Sequence, residues 1–246
     1  MHLKRVNIHS DRYPTHEFYP FNLDVLERTE SVDFRTPVTL FVGENGTGKS
    51  TLLEALAHKA GIYIWQNHGG SRCQANPYEN KFYRCISLDW TDGRVPGSYF
   101  GAEVFRDFAR ILEEWASSDP GLLDYFGGQS LLTQSHGQSL MSFFRSRYTV
   151  RGLYLLDEPE TALSPQTQIE LLQVLARMSQ AGHAQFVVAT HSPILLACPG
   201  ATIYSFDQIP VGPVRYEETQ HYQTYKRFMA DRHQFLDGNG HGPGPE

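Results

Sequence analysis

The stretch Gly43 to Ser50, GENGTGKS, places three glycines, a lysine and a hydroxyl where they can act together on a chain of phosphates. Gly43, Gly46 and Gly48 let the backbone curl, so that successive N–H groups from Glu44, Asn45 and Thr47 onward to Thr51 face one anion. The N-terminus of a following helix adds partial positive charge at the same spot. In this pattern Lys49 reaches β- and γ-phosphates and the Ser50 hydroxyl ligates Mg2+. A glycine-rich turn could match the motif by chance, but its flanks argue otherwise. The apolar run Val38–Val42 leads straight into it, and LLEALAHKA leaves it with helical periodicity. The expected cofactors are ATP and Mg2+.

A second constellation is LYLLDEPE, Leu153 to Glu160. An apolar strand that delivers Asp157 to its C-terminal end offers a carboxylate to Mg2+, and Glu158, one step on, can polarise a water in line with a γ-phosphate. Taken alone, two acids at a strand end read better as a solvated terminus; beside a phosphate loop they read as catalytic. The strand QFVVATHS then ends on His191, one helix and one strand after Asp157. A lone histidine is more often structural. Its place in the order lets its strand lie beside the first, with the imidazole in reach of the γ-phosphate or the attacking water.

These residues need elements to hold them. Leu3–Ile8 alternates as a half-buried strand, Tyr13–Phe21 is an aromatic loop, and strands are expected at Phe82–Trp90 and Ser98–Phe100. Glu103–Ala116 puts Val104, Phe105, Phe108, Ile111, Leu112 and Trp115 on one helical face. A short helix reaches about Arg147. Ser164 followed by Pro165 starts a helix over Gln166–Ser179, with serine as cap and proline in the first turn. ATIYSFD and PVRYEET form a late β pair, and Tyr222–Leu236 a closing helix. Strands alternating with helices imply a mainly parallel sheet covered on both faces.

Composition narrows the class. With 21 Lys+Arg against 27 Asp+Glu, the net charge of −6 gives no basic field for nucleic acid or anionic membrane, although a local patch is still allowed. The three cysteines have no metal or disulfide spacing, which fits a reducing cytoplasm. No apolar run is long enough to span a bilayer, so no membrane insertion by this chain is expected.

The order GENGTGKST, QSHGQ, LYLLDEPE, TALSP, VVATHSP resembles the ATP-binding-cassette (ABC) ATPases over roughly residues 3 to 206. The wording DEPE and THSP is more similar to the soluble branch that includes SMC and OLD-type ATPases, and to bacterial proteins labelled as predicted AAA/ABC-type ATPases. The resemblance implies an α/β P-loop fold with a mainly parallel sheet, a small antiparallel β part and a helical subdomain. It implies one ATPase domain over 1–236 with the subdomain inserted at roughly 101–148; the stretch DGNGHGPGPE at 237–246 reads by its composition as a disordered tail. The resemblance also gives LTQSHGQSL a role as the family's signature, about twenty residues before Asp157. Ser135 and the Gly137 backbone would cap a γ-phosphate held by a second subunit, so a homodimer would close on ATP and open on hydrolysis.

The sequence departs from that pattern in several places. Gln134 and His136 stand where the family has leucine and glycine, and His136 either reaches phosphate or points away. Ser164 replaces the usual D-loop aspartate. Glu103 is the substitute for the Mg2+-sensing Q-loop glutamine, and Tyr13, Phe18 and Tyr19 are candidates to stack on adenine or to be core. The segment between Thr51 and Gln134 has no room for the long coiled coil of SMC chains. The expectation is a Mg2+-dependent ATPase in which Glu158, Lys49 and His191 do the chemistry, serving DNA maintenance or phage defence with an effector protein or DNA as partner. The alternatives are the energy subunit of a membrane transporter, or a module that binds ATP with negligible hydrolysis.

Overall fold

The computed structural model describes residues 1–64, 76–101, 112, 114–116, 118, 121 and 136–236. Along these the chain runs through β1 (Leu3–Ile8), α1 (Asp24–Glu27), β2 (Ser31–Asp33), β3 (Val38–Val42), α2 (Lys49–Ala60), β4 (Ile86–Trp90), β5 (Gly97–Gly101), α3 (His136–Arg147) and β6 (Gly152–Asp157). It continues through α4 (Pro165–Gln180), β7 (Ala184–Ala189), α5 (Pro193–Leu196), β8 (Thr202–Ser205), β9 (Gly212–Val214), α6 (Gln220–Ala230) and α7 (His233–Leu236). Of the expected helix at 103–116, residues 112 and 114–116 are described, and they are helical. The rest of that helix, Glu103, Gln134, Ser135 and the tail at 237–246 lie outside the described residues, as does most of the expected inserted subdomain.

Six strands form one sheet in the order β5-β6-β7-β3-β8-β9, with β9 antiparallel and the other neighbours parallel. The runs VTLFV, GLYLLD and AQFVVA are almost wholly buried because both faces of this sheet are covered. Alternation sorts their side chains. Phe41, Leu153, Leu155, Val187 and Ala189 pack on one side, with α2 and the small sheet. Leu40, Val42, Tyr154, Leu156, Phe186 and Val188 pack on the other, with α3 and α4. On that second side Phe144, Tyr148, Tyr154 and Phe186 make a chain of rings with centroids 4.6–5.4 Å apart.

A three-stranded antiparallel sheet, β2-β1-β4, lies beside this core. The fully buried Gln185 on β7 ties it on. Its side-chain oxygen accepts from the N–H groups of His2 and Leu3 at 2.7 and 2.8 Å, and its nitrogen donates to the Leu3 carbonyl at 2.9 Å.

Three expected elements come out differently. Phe82–Cys85 is a 3-10 turn, and only Ile86–Trp90 pairs as a strand. Phe82 and Cys85 are the two buried residues there, and a spacing of three is that of a helical turn, not of alternation. The closing helix breaks after Ala230, where extended Asp231 caps a new turn by accepting from the His233 N–H at 3.0 Å. The late β pair is shorter than expected, since Tyr216–Glu218 is a 3-10 turn.

Candidate functional site

The phosphate-loop sequence sits between β3, fully buried, and α2, whose first residue is Lys49. Gly46 and Gly48 take φ of +80° and +96°, a left-handed backbone that glycine adopts without strain. At Gly43 the approach is close: a Cβ there would stand 3.0 Å from the Phe206 Cβ and 3.1 Å from the Asp207 carboxylate. That carboxylate accepts from the Glu44 N–H at 2.7 Å, and Thr47 Oγ1 donates to the Glu44 carbonyl at 2.9 Å. Lys49, 4% exposed, donates to the carbonyls of Gly43 and Glu44 at 2.6 and 2.8 Å. Burial holds its pKa below the usual lysine value, while Glu158, Asp207, Asp157 and Glu44 pull the other way.

The sheet order puts β7 between β3 and β6, so the Gly43 loop, His191 and Asp157 all sit at C-terminal strand ends. Asp157 is fully engaged. Ser50 Oγ donates to one carboxylate oxygen and the Tyr99 hydroxyl, from β5, to the other, each at 2.9 Å. Burial pushes its pKa up, and these two hydrogen bonds oppose the shift. Glu158 carries on from β6 with φ +44° and ψ +52°, a left-handed conformation that costs a non-glycine residue about 1–3 kcal/mol. Its N–H still bonds the Ala189 carbonyl at 2.9 Å, so the turn re-aims the side chain at a fixed backbone point. The Glu158 carboxylate stands 3.4 Å from His191 Nε2.

His191 is held from three directions. Its N–H donates to the Glu160 carboxylate at 2.6 Å, its Nε2 faces Glu158, and its Nδ1 lies 2.9 Å from Nε2 of His221 on α6. Burial and then the Lys49 charge keep its pKa below the ordinary histidine value, against the pull of Glu158. Burial raises Glu160, opposed by the hydrogen bond from the His191 N–H.

The structure thus brings Lys49, Ser50, Asp157, Glu158 and His191 together. It leaves Gly137 apart, on the first turn of α3, where a Cβ would meet Thr167 on α4 at 3.8 Å. Ser164 acts locally, accepting from the Thr167 N–H at 3.3 Å as the cap of α4. Of the aromatic candidates, Tyr13 is partly buried and packs against the core, edge-on to Phe21 and Phe82. Phe18 and Tyr19 are half exposed, and Tyr19 shares a 2.5 Å hydrogen bond with Thr51. Sequence reading missed Tyr99, Glu54, Glu160, Asp207 and His221. Glu54 was findable: it lies one turn past Ser50 on the same face of α2. Burial, then the charges of Asp157 and Glu79, push its carboxyl up to about 7. His221 has no spacing signal, because its helix returns to the site from the far end of the chain. Among the described residues no group of three or more His, Cys, Asp or Glu is arranged to hold a metal by itself, and no helix is long and apolar enough to cross a membrane.

Comparison with known proteins adds segment and fold likenesses. Residues 136–197 match a family described as "AAA domain, putative AbiEii toxin, Type IV TA system", and residues 17–58 match one described as "AAA domain". No curated protein sequence matches the chain. The SMC head domain from Thermotoga maritima aligns at 15% identity and TM-score 0.51, over 87% of this chain and 100% of that one. An inward-facing "putative metal-chelate type ABC transporter" aligns at 18% and 0.51, over 92% and 88%. The cbiO1 protein of Clostridium perfringens, part of the ABC transporter complex cbiONQ, aligns at 15% and 0.51, over 94% and 98%. At these identities the likeness is one of fold.

Proposed function

The chain has an ABC-type P-loop ATPase fold, related to SMC heads and AAA domains, and from that premise we propose that it hydrolyses ATP with Mg2+ as a homodimer. The observation that carries the reading is the joining of the two motifs: Ser50 of the loop donates to Asp157, while Glu158 and His191 meet beside it at 3.4 Å. A chance glycine-rich turn has no reason to hydrogen-bond an aspartate on a strand two positions away in the sheet.

The residues suit their roles. The loop from Gly43 to Thr51 offers backbone N–H groups to phosphate, and Lys49 can exchange the loop carbonyls for β- and γ-phosphate oxygens. Ser50 and Asp157 are hard oxygen donors, the kind that hold Mg2+ together with a substrate's own phosphates. When bound, the ion supplies neutralisation of phosphate charge. Glu158 orients a water for in-line attack on the γ-phosphorus and accepts its proton as the bond to the ADP oxygen breaks. His191 donates from Nε2 to the transferring group. Ser135 and Gly137 would complete the site from a second copy.

Phosphate release by wild type and Glu158→Gln tests this. A fall in the variant with ATP binding intact is expected. Equal, near-background rates in both would leave only an ATP-binding module. We propose defence or DNA maintenance as the process served, a reading favoured by the family description naming a toxin–antitoxin system and by the SMC-like fold. In that case DNA binding, measured at low ionic strength, should weaken as salt rises. Co-purification with an integral membrane chain would point instead to a transporter subunit like cbiO1.

A further inference from the structure

We propose that His221, on the first turn of α6, is a positioning residue that fixes the tautomer and aim of His191, so that His191 turns a donor Nε2–H toward Glu158 and the phosphate end of the site. The kinetic consequence rests on the ATP-hydrolysis reading; the ring contact does not.

His191 Nδ1 and His221 Nε2 are 2.9 Å apart with ring centroids 5.0 Å apart, so one nitrogen donates and the other accepts. The far side of His221 decides which. Its Nδ1 is buried with no hydrogen-bond partner among the described residues, so a hydrogen placed there would meet no acceptor, and the hydrogen belongs on Nε2, pointing at His191 Nδ1. A neutral His191 that accepts at Nδ1 carries its own hydrogen on Nε2. That nitrogen also makes no hydrogen bond among the described residues and faces a Glu158 oxygen at 3.4 Å. Burial and the Lys49 charge favour that neutral form. The donor is His221 and the acceptor His191, whose Nε2–H faces Glu158 without bonding it; Lys49, Glu158 and Glu160 are the charged groups beside His191, and Glu44, Asp207 and Lys49 those beside His221.

Among the described residues, the contact with His191 is the one side-chain hydrogen bond that His221 makes. No residue of α6 is buried, and Phe228 and Met229 are 41% and 80% exposed, so the helix is not docked by its apolar side chains. What fixes its first turn is a short anchor. Thr219, 3% exposed, accepts from the Tyr222 N–H at 3.3 Å and donates to the Tyr216 carbonyl at 2.8 Å. Tyr216 in turn packs against Tyr222, ring centroids 4.7 Å apart and planes tilted by 55°, and donates its hydroxyl to the Pro193 carbonyl at 3.0 Å. Pro193 opens α5, two residues after His191. The two histidines are thus clamped to the same short stretch of chain. His221 Nδ1 is buried without a hydrogen-bond partner, which leaves Nε2 as the nitrogen this residue is placed to use.

The test combines ring-nitrogen NMR on 15N-histidine-labelled protein with ATPase kinetics for wild type, His221→Ala and His221→Gln, whose amide can supply a hydrogen at similar reach. Wild type is expected to show His191 as the Nε2–H tautomer. The alanine variant should show a mixture or the Nδ1–H form, with kcat down about tenfold, the size typical of groups that orient an active histidine, and KM within about twofold. Glutamine should restore most of both. An unchanged His191 tautomer in His221→Ala, or a loss confined to KM and thermal stability, overturns the proposal. Failure of the ATPase reading shows separately, as no turnover in wild type, and the nitrogen spectra then decide the positioning claim by themselves.

Discussion

Lys49, Ser50, Asp157, Glu158 and His191 gather at the C-terminal ends of three neighbouring parallel strands, and each meets a polar partner within its own chain. Gly137, at the head of α3, meets its own chain differently: the nearest atoms to a side chain built there belong to Thr167, at ordinary contact distance of 3.8 Å. The first region is assembled by the fold itself, because buried strands fix where their C-terminal ends emerge. The second sets a helix start against Thr167 of α4. Chemistry supplied by one chain and closure supplied by a second copy is the division we propose.

The contrast can be broken or sharpened by substitution. The largest effect belongs to the strand-end region: Glu158→Gln should lower turnover by about 10²–10⁴ while fluorescent-nucleotide titration shows ATP affinity kept. A bulky cation at the other end, Ser135→Arg, should lower turnover by roughly 10–100-fold through lost closure, while each monomer binds ATP as before; a matching loss of monomer affinity would place Ser135 in the same chain's site. Tyr99→Phe removes one of the two donors on Asp157 and should weaken Mg2+ dependence of hydrolysis by about tenfold, the scale of an orienting hydrogen bond, read as a shift in the Mg2+ concentration giving half-maximal rate.

Much of the strand-end region was legible because its signals are local. A buried parallel strand reads as an apolar run, and the polar residues that follow it must stand at the sheet's edge, which is how LYLLD and QFVVAT mark Asp157 and His191, while GENGTGKS marks Lys49 by its own motif. Ser164 and Pro165 likewise marked the start of α4. What was not legible depends on tertiary return. Tyr99 reaches Asp157 across β5 and β6, and His221 reaches His191 from a helix whose own pattern is that of a solvated surface. Phe82–Cys85 was misread because two buried residues three apart can be fitted to either period over so short a run. The signature reading rests on resemblance alone, and Gln134 and Ser135 lie outside the described residues.

The smallest effect separates burial from catalysis at Glu54, whose carboxyl is raised to about 7. A raised carboxyl favours the folded state most below its unfolded pKa, and that advantage is lost as pH climbs through about 7. In protein free of nucleotide and Mg2+, Glu54→Gln should therefore flatten the fall in stability between about pH 4.5 and pH 7 and gain on the order of 1 kcal/mol at pH 8. Chemical denaturation at the two ends of that range reads it; parallel profiles for both proteins would remove Glu54 from the charged group around Asp157.

The most direct measurement of the division between one chain's chemistry and another's closure is the solution mass of Glu158→Gln by light scattering with ATP and Mg2+, with ADP, and with neither. The account predicts a dimer with ATP and a monomer otherwise; one mass under all three conditions would contradict it.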